Sequence, residues 1–204
     1  AKAIDESGSF GTDSVDVTVG SGCGQEPFPG SAFEFPVKIE AEDFDIGGAG
    51  IAYQDLYPGN NGGQYRPTED VDIENCSDTG GGYNIGWVSQ DEWLEYTVNV
   101  PAAGEYVFEA RVASPGGAVF QVEFNGVDKT GNVIVPVTGG WQTWVSVPVT
   151  VSLEAGLQVM KFIATNSGFN INYFDIQASV SAVSPDLQPA GCLLHPCYPN
   201  PFNP

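Results

Sequence analysis

Glu105-Tyr-Val-Phe-Glu-Ala-Arg-Val-Ala-Ser-Pro-Gly-Gly-Ala-Val-Phe-Gln-Val-Glu-Phe124 is the stretch on which the fold turns. In an extended chain Tyr106, Phe108, Ala110 and Val112 fall on one side, which is the period of a half-buried strand. Pro115-Gly-Gly117 interrupts it, and the next segment, Ala118–Phe124, runs into Asn125-Gly126. Asn-Gly after an alternating run is a strong short-range signal for a hairpin turn.

Outward from this pair the same pattern repeats. Glu92–Val100 closes at Pro101-Ala-Ala-Gly104, and further strands are expected over Thr130–Val137, Gln142–Val151, Leu157–Thr165 and Phe169–Gln177. Toward the N-terminus, Val37, Ile39 and Ala41 alternate with Lys38, Glu40 and Glu42 as far as Phe44. Many short strands without helical periodicity, in a chain with 26 Gly and 15 Pro, predict an all-β, two-sheet antiparallel β-sandwich. Residues 45–82 read as one long loop region, a length that in a compact domain is functional or held by a ligand.

The expected organisation has four parts. Val15, Val17 and Val19 form a terminal strand within residues 1–19 that resembles the last strand of a truncated immunoglobulin-like or PKD-type repeat. Residues 20–35 are a Gly/Pro/Ser-rich linker, 36–178 the sandwich, and 179–204 a Pro-stiffened tail ending Tyr-Pro-Asn-Pro-Phe-Asn-Pro. That tail resembles the opening of the sorting domain of type IX secretion cargo. With no visible signal peptide, the chain is read as a mature or internal piece of a secreted or cell-surface protein.

Six Lys and Arg against 26 Asp and Glu give a net charge of −20. Such a surface repels phosphate backbones and anionic membranes, so nucleic acid is excluded as a partner. No apolar run approaches the ~20 residues of a membrane span, which excludes insertion. Neutral partners or bound cations remain, beside a plain solubility role for the charge. Cys23, Cys76, Cys192 and Cys197 allow three full pairings, with Cys192–Cys197 preferred. Asp91 and Glu92 are adjacent, so they point to opposite faces of a strand and cannot bracket one bond; His195, the sole histidine, lies in the tail. Catalysis within these residues is not expected.

Several phrases, in order, resemble the family 6 carbohydrate-binding modules. They are Ile39-Glu-Ala-Glu-Asp-Phe44, Gly81-Gly-Tyr-Asn-Ile-Gly-Trp-Val88, Glu92-Trp-Leu-Glu-Tyr96, Arg111-Val-Ala-Ser114, Thr138-Gly-Gly-Trp-Gln-Thr-Trp144 and Phe169-Asn-Ile-Asn-Tyr-Phe174. The resemblance implies a jelly-roll, lectin-like sandwich that binds polysaccharide or oligosaccharide without catalysis, tethered to a secreted glycoside hydrolase. Carried over residue by residue, Trp87 and Trp141 match the aromatics that clamp a sugar ring, and Asn170 the amide that bonds its hydroxyls. Indole faces pack on pyranose C–H faces, and an amide offers both donor and acceptor. The competing reading of both rings is core packing. Tyr53 and Tyr65, in the long loop, are candidates to border a second, concave-face site. Tyr96 is expected in the core; Trp93, Trp144 and Tyr83 are left open.

The resemblance also implies a structural Ca²⁺, matched by Glu40, Glu42 and Asp175. Hard carboxylate oxygens suit that ion, and a solvated strand face is the alternative. A different class of function is a structural subunit of an extracellular fibre or surface layer, self-associating by strand addition through the terminal segments.

Overall fold

The computed structural model describes residues 24–179. The alternating segments become strands: β1 (Phe33–Glu34), β2 (Val37–Glu40), β3 (Tyr53–Gln54), β4 (Ile73–Asn75), β5 (Tyr83–Ile85), β6 (Trp93–Val100), β7 (Gly104–Ala113), β8 (Ala118–Phe124), β9 (Val127–Asp128), β10 (Val133–Val135), β11 (Val145–Leu153), β12 (Gly156–Ala164) and β13 (Asn170–Ala178). One sheet runs β1-β6-β12-β8-β10, with β3 added on β6 and β9 on β8; the other runs β11-β7-β13-β5-β4, with β2 added on β13. Pairing is antiparallel except for β1 on β6. This is the two-sheet sandwich that the alternation predicts.

Tyr106, Phe108, Ala110 and Val112 are all buried, as the period of two requires. They meet inward residues of the facing sheet around an aromatic centre. Phe108 stacks on Phe174 at 5.3 Å, and Phe162 bridges Phe174 (5.4 Å) and Phe120 (5.1 Å). Large rings bury the most apolar area per residue, so this cluster dominates the packing. Tyr96 is fully buried, as expected, and its hydroxyl donates to the Ala41 carbonyl at 2.7 Å. Asn125 and Gly126 both take positive φ (50° and 74°), the geometry that lets a two-residue turn join twisted strands β8 and β9.

Two departures from the sequence reading bear on function. The expected strand from Val37 to Phe44 stops at Glu40, where the Asp43 N–H turns back onto the Glu40 carbonyl. Glu42 therefore leaves the solvent face and is buried. The stretch from residue 45 to 82 is also not one loop. It contains β3 and β4, each fixed by a partner outside the stretch (Tyr53 faces Leu94, and Ile73 faces Ile85 of β5, which in turn faces Ile171). Arg66 locks the rest. It is buried, ion-paired to Glu69, donates to the carbonyls of Glu42, Phe44 and Asp45, and lies 3.6 Å over the Phe44 ring. Carbonyls that no strand partner reaches are satisfied by a cation's five donors.

Strand β13 gives the molecule its polarity. It starts at Asn170, where the turns after β5, β10 and β12 gather, and runs nine residues to Ala178. At the strand rise per residue that is about 30 Å. Residues 1–23 and 180–204, with the expected terminal strand, the tail and three of the four cysteines, lie outside the described residues. Cys76 is buried and is the one cysteine among the described residues.

Candidate functional site

The turn after β5 carries Trp87 in a left-handed conformation (φ 49°). A bulky residue pays a steric cost there, and such strain concentrates at functional positions. Its neighbour Gly86 permits close approach. A Cβ added at Gly86 lies 3.2 Å from Glu74 Oε1 and 3.6 Å from Asn170 Oδ1. The glycines at 80–82, all with positive φ, instead make the turn that starts β5. The loop is tied down by Gly168 N–H to the Val88 carbonyl (3.0 Å) and Gln90 N–H to Ser167 Oγ (2.8 Å). Both rings are open to solvent, Trp87 at 51% and Trp141 at 50%.

Trp87 and Trp141 line one cavity of about 310 Å³ together with Glu74, Gln142 and Asn170. The volume sits at the small end of ligand clefts. Asn170, only 2% exposed, forms the floor at the start of β13. Its Nδ2 donates to Glu74 Oε1 (2.9 Å) and to the Trp141 carbonyl (2.9 Å), which fixes the loop holding that ring. Glu74 Oε1 also accepts from Asn84 Nδ2 (3.2 Å) and Gln142 Nε2 (3.0 Å). Gln142 is saturated, donating to Asn84 Oδ1 and accepting from the N–H and hydroxyl of Ser77. Two exposed rings thus stand over a rigid floor of cross-bonded amides. Glu74 was not among the residues singled out from sequence. The signal available was Val71-Asp-Ile-Glu, a short alternation that places Ile73 inward and Glu74 outward.

The other candidates go elsewhere. Tyr53 is 3% exposed, packs edge-on against Phe44, and its hydroxyl accepts from the Asp70 N–H; it is a core residue and does not line the Trp87–Trp141 cavity. Tyr65 is exposed with φ 57°, but its ring lies 5.2 Å from that of Tyr83, its hydroxyl donates to Asp43 Oδ1, and it does not line the cavity. Trp93 is half-buried beneath the Lys161 ammonium (3.6 Å), and Trp144 is half-buried. Glu92 is buried with its two oxygens accepting from the N–H groups of Leu56 and Ser89, so it braces loops. The void beside Glu92 and Asp55 is about 20 Å³, room for one water and not for a sugar. Burial in that setting pushes the Asp55 carboxyl up to about 7.

The three carboxylates matched to Ca²⁺ do not converge. Asp175 faces Lys38 across the β13–β2 ladder and accepts from Gln177, and Glu40 is ion-paired to Lys38 at 2.7 Å. Among the described residues no three His, Cys, Asp or Glu side chains form a metal-holding group. Glu42 differs: it is 5% exposed, its Oε2 has no hydrogen-bond partner among the described residues, and desolvation pushes its carboxyl up to about 8. An orphaned buried carboxylate oxygen fits a cation at Glu42, with Glu40 as the neighbour that loads it with further negative charge. Asp175 does not fit that group.

The family model for "Carbohydrate binding module (family 6)" matches residues 62–178. The chain belongs to this family. The module binds carbohydrate and is non-catalytic. A solved module from Cellvibrio mixtus lichenase 5A, in complex with cellotriose, is 32% identical with a TM-score of 0.55, covering 71% of this chain and 98% of that one. The C-terminal module of LamC from Zobellia galactanivorans is 33% identical (TM-score 0.54; 69% and 98% covered). Among curated proteins, the clotting factor G alpha subunit of Tachypleus tridentatus is 33% identical over 115 residues, 55% of this chain and 17% of that protein. Beta-agarase AgaA of Microbulbifer thermotolerans is 36% identical over 78 residues, 36% of this chain and 18% of its own length. The chain spans less than a fifth of each of these two relatives.

Proposed function

We propose that the module grips a pyranose unit of an extracellular polysaccharide between Trp87 and Trp141, over the floor made by Asn170 and Glu74. The observation that carries this reading is the pairing of two half-exposed indoles on a single 310 Å³ cavity whose base is buried and hydrogen-bonded. The ligands named for two solved relatives, cellotriose and β-1,3-glucan, favour a β-linked glucan. The relatives' names, β-agarase and arabinoxylan arabinofuranohydrolase among them, support a role in targeting an attached secreted hydrolase, with catalysis supplied outside this module. The test is a pull-down on insoluble β-glucans with wild type and the Trp87→Ala/Trp141→Ala pair. Binding lost in the pair supports the clamp, and binding unchanged in the pair overturns it.

A calcium ion at Glu42 is part of the same proposal, supported by the unpartnered Oε2. It would stabilise the turn after β2 and take no part in gripping sugar. The fibre reading is not favoured, because the long free sheet edge carries a device against strand addition, argued below.

A further inference from the structure

Apart from the indole N–H groups of Trp87 and Trp141, the polar inventory of the cleft is one-sided. Every side-chain amide donor on its lining is already spent inward: Asn170 Nδ2 on Glu74 and the Trp141 carbonyl, Gln142 Nε2 on Glu74 and Asn84. Flipping Asn170 would aim its carbonyl oxygen at two acceptors, so its orientation is fixed. What faces a ligand is the second carboxylate oxygen of Glu74 and Oδ1 of Asn170; neither takes a hydrogen bond from a described residue, and neither is among the buried unpaired atoms. The five lining residues include one carboxylate and no cation. Four of the chain's six Lys and Arg are held by carboxylates elsewhere: Lys38 by Glu40, Arg66 by Glu69, Arg111 by Asp78 and Lys161 by Glu95.

We propose that this cleft is a charge filter: it accepts uncharged sugars, whose hydroxyls donate to Glu74 and Asn170, and rejects uronate- or sulfate-bearing ones, with Glu74 as the residue that sets the selection. The proposal rests on the clamp reading above. An anionic substituent at the clamp meets a carboxylate at close range, and apart from the two indole N–H groups no lining side chain offers it a free donor to replace the water it sheds. Two like charges a few ångströms apart in a partly hydrated site weaken binding about tenfold or more.

The experiment titrates the protein with laminari- and cello-oligosaccharides and with the same chains oxidised at C6 to uronates. Titrations run at low salt and at about 0.5 M, where a Debye length under about 5 Å removes the general repulsion of the −20 surface. The expected result is at least tenfold weaker binding of the uronate forms at both salts. In Glu74→Gln, whose amide oxygen keeps the three inward donors and whose NH₂ faces the cleft, the gap falls below threefold. Equal wild-type binding of both forms at high salt overturns the filter and leaves the clamp standing, and so does a gap that Glu74→Gln leaves intact. Wild type that binds neither neutral glucan overturns the clamp reading for glucans, and the filter with it. The wild-type comparison decides the matter even where Glu74→Gln does not fold.

Discussion

Truncating Trp87 or Trp141 removes a ring that is half in solvent, so the fold should lose little while the ligand loses a face. Each alanine variant is expected to weaken glycan binding by about 2 kcal/mol or more, the scale of an interface anchor, with a melting temperature near wild type. Calorimetric titration beside thermal melting checks both halves. Asn170→Ala is different, because the amide is buried and its loss leaves Glu74 Oε1 and the Trp141 carbonyl short of a donor. It should lower binding and stability together, stability by roughly 1–3 kcal/mol. That Trp87, Trp141 and Asn170 come together on one cavity was legible because their local phrases resemble a known family. Glu74 was not, since its importance lies in three amides contributed by β5, β13 and the loop before β11. Tyr53 misled for a related reason: it sits in a Gly/Asn-rich stretch, and only its pairing with Leu94 shows that it faces inward.

Elements were legible in proportion to their length. β6, β7, β8, β12 and β13 carry their own alternation, whereas two- and three-residue strands such as β3 and β4 exist only because a long strand offers them a ladder. Edges show a further rule. β1, β4 and β10 are very short, but β11 is nine residues long, bears no charged side chain and pairs on one side only. Its centre holds Pro148, opposite Glu109 and exposed. Proline has no N–H to give, so it must direct its nitrogen away from β7, leaving the free edge short of a donor. Pro148→Thr restores that donor and is expected to promote concentration-dependent self-association, read by light scattering after size exclusion; a strictly monomeric variant counts against the device. The joint between β7 and the loop after β4 makes a pH prediction. The Arg111 guanidinium, bonded to Asp78 at 2.7 and 2.8 Å, holds that carboxyl down at about 2. A folded pKa below the ordinary value near 4 gives stability that is present above pH 4 and lost as pH falls through about 2. The contribution is of order 1–2 kcal/mol, and Asp78→Asn should flatten that part of the acid-unfolding profile.

For the molecule as a whole, Glu42 is the place where removing an ion should be felt. Exhaustive chelation is expected to lower the melting temperature by several degrees, at about 2–4 °C per kcal/mol for a domain of this size. Added Ca²⁺ should restore it without changing glycan affinity, because Glu42 does not line the sugar cavity. Melting that is indifferent to chelator removes the ion.

The run of β13 from the floor of the cleft to the opposite pole puts the candidate cleft and the last described strand residue at the two ends of a single strand. Ala178 therefore lies about 30 Å along the strand from Asn170, at the end away from the two indoles. If the proposed grip holds, a domain joined there by a short tether would act on neighbouring chains of the substrate, at raised local concentration, before the chain held between the indoles.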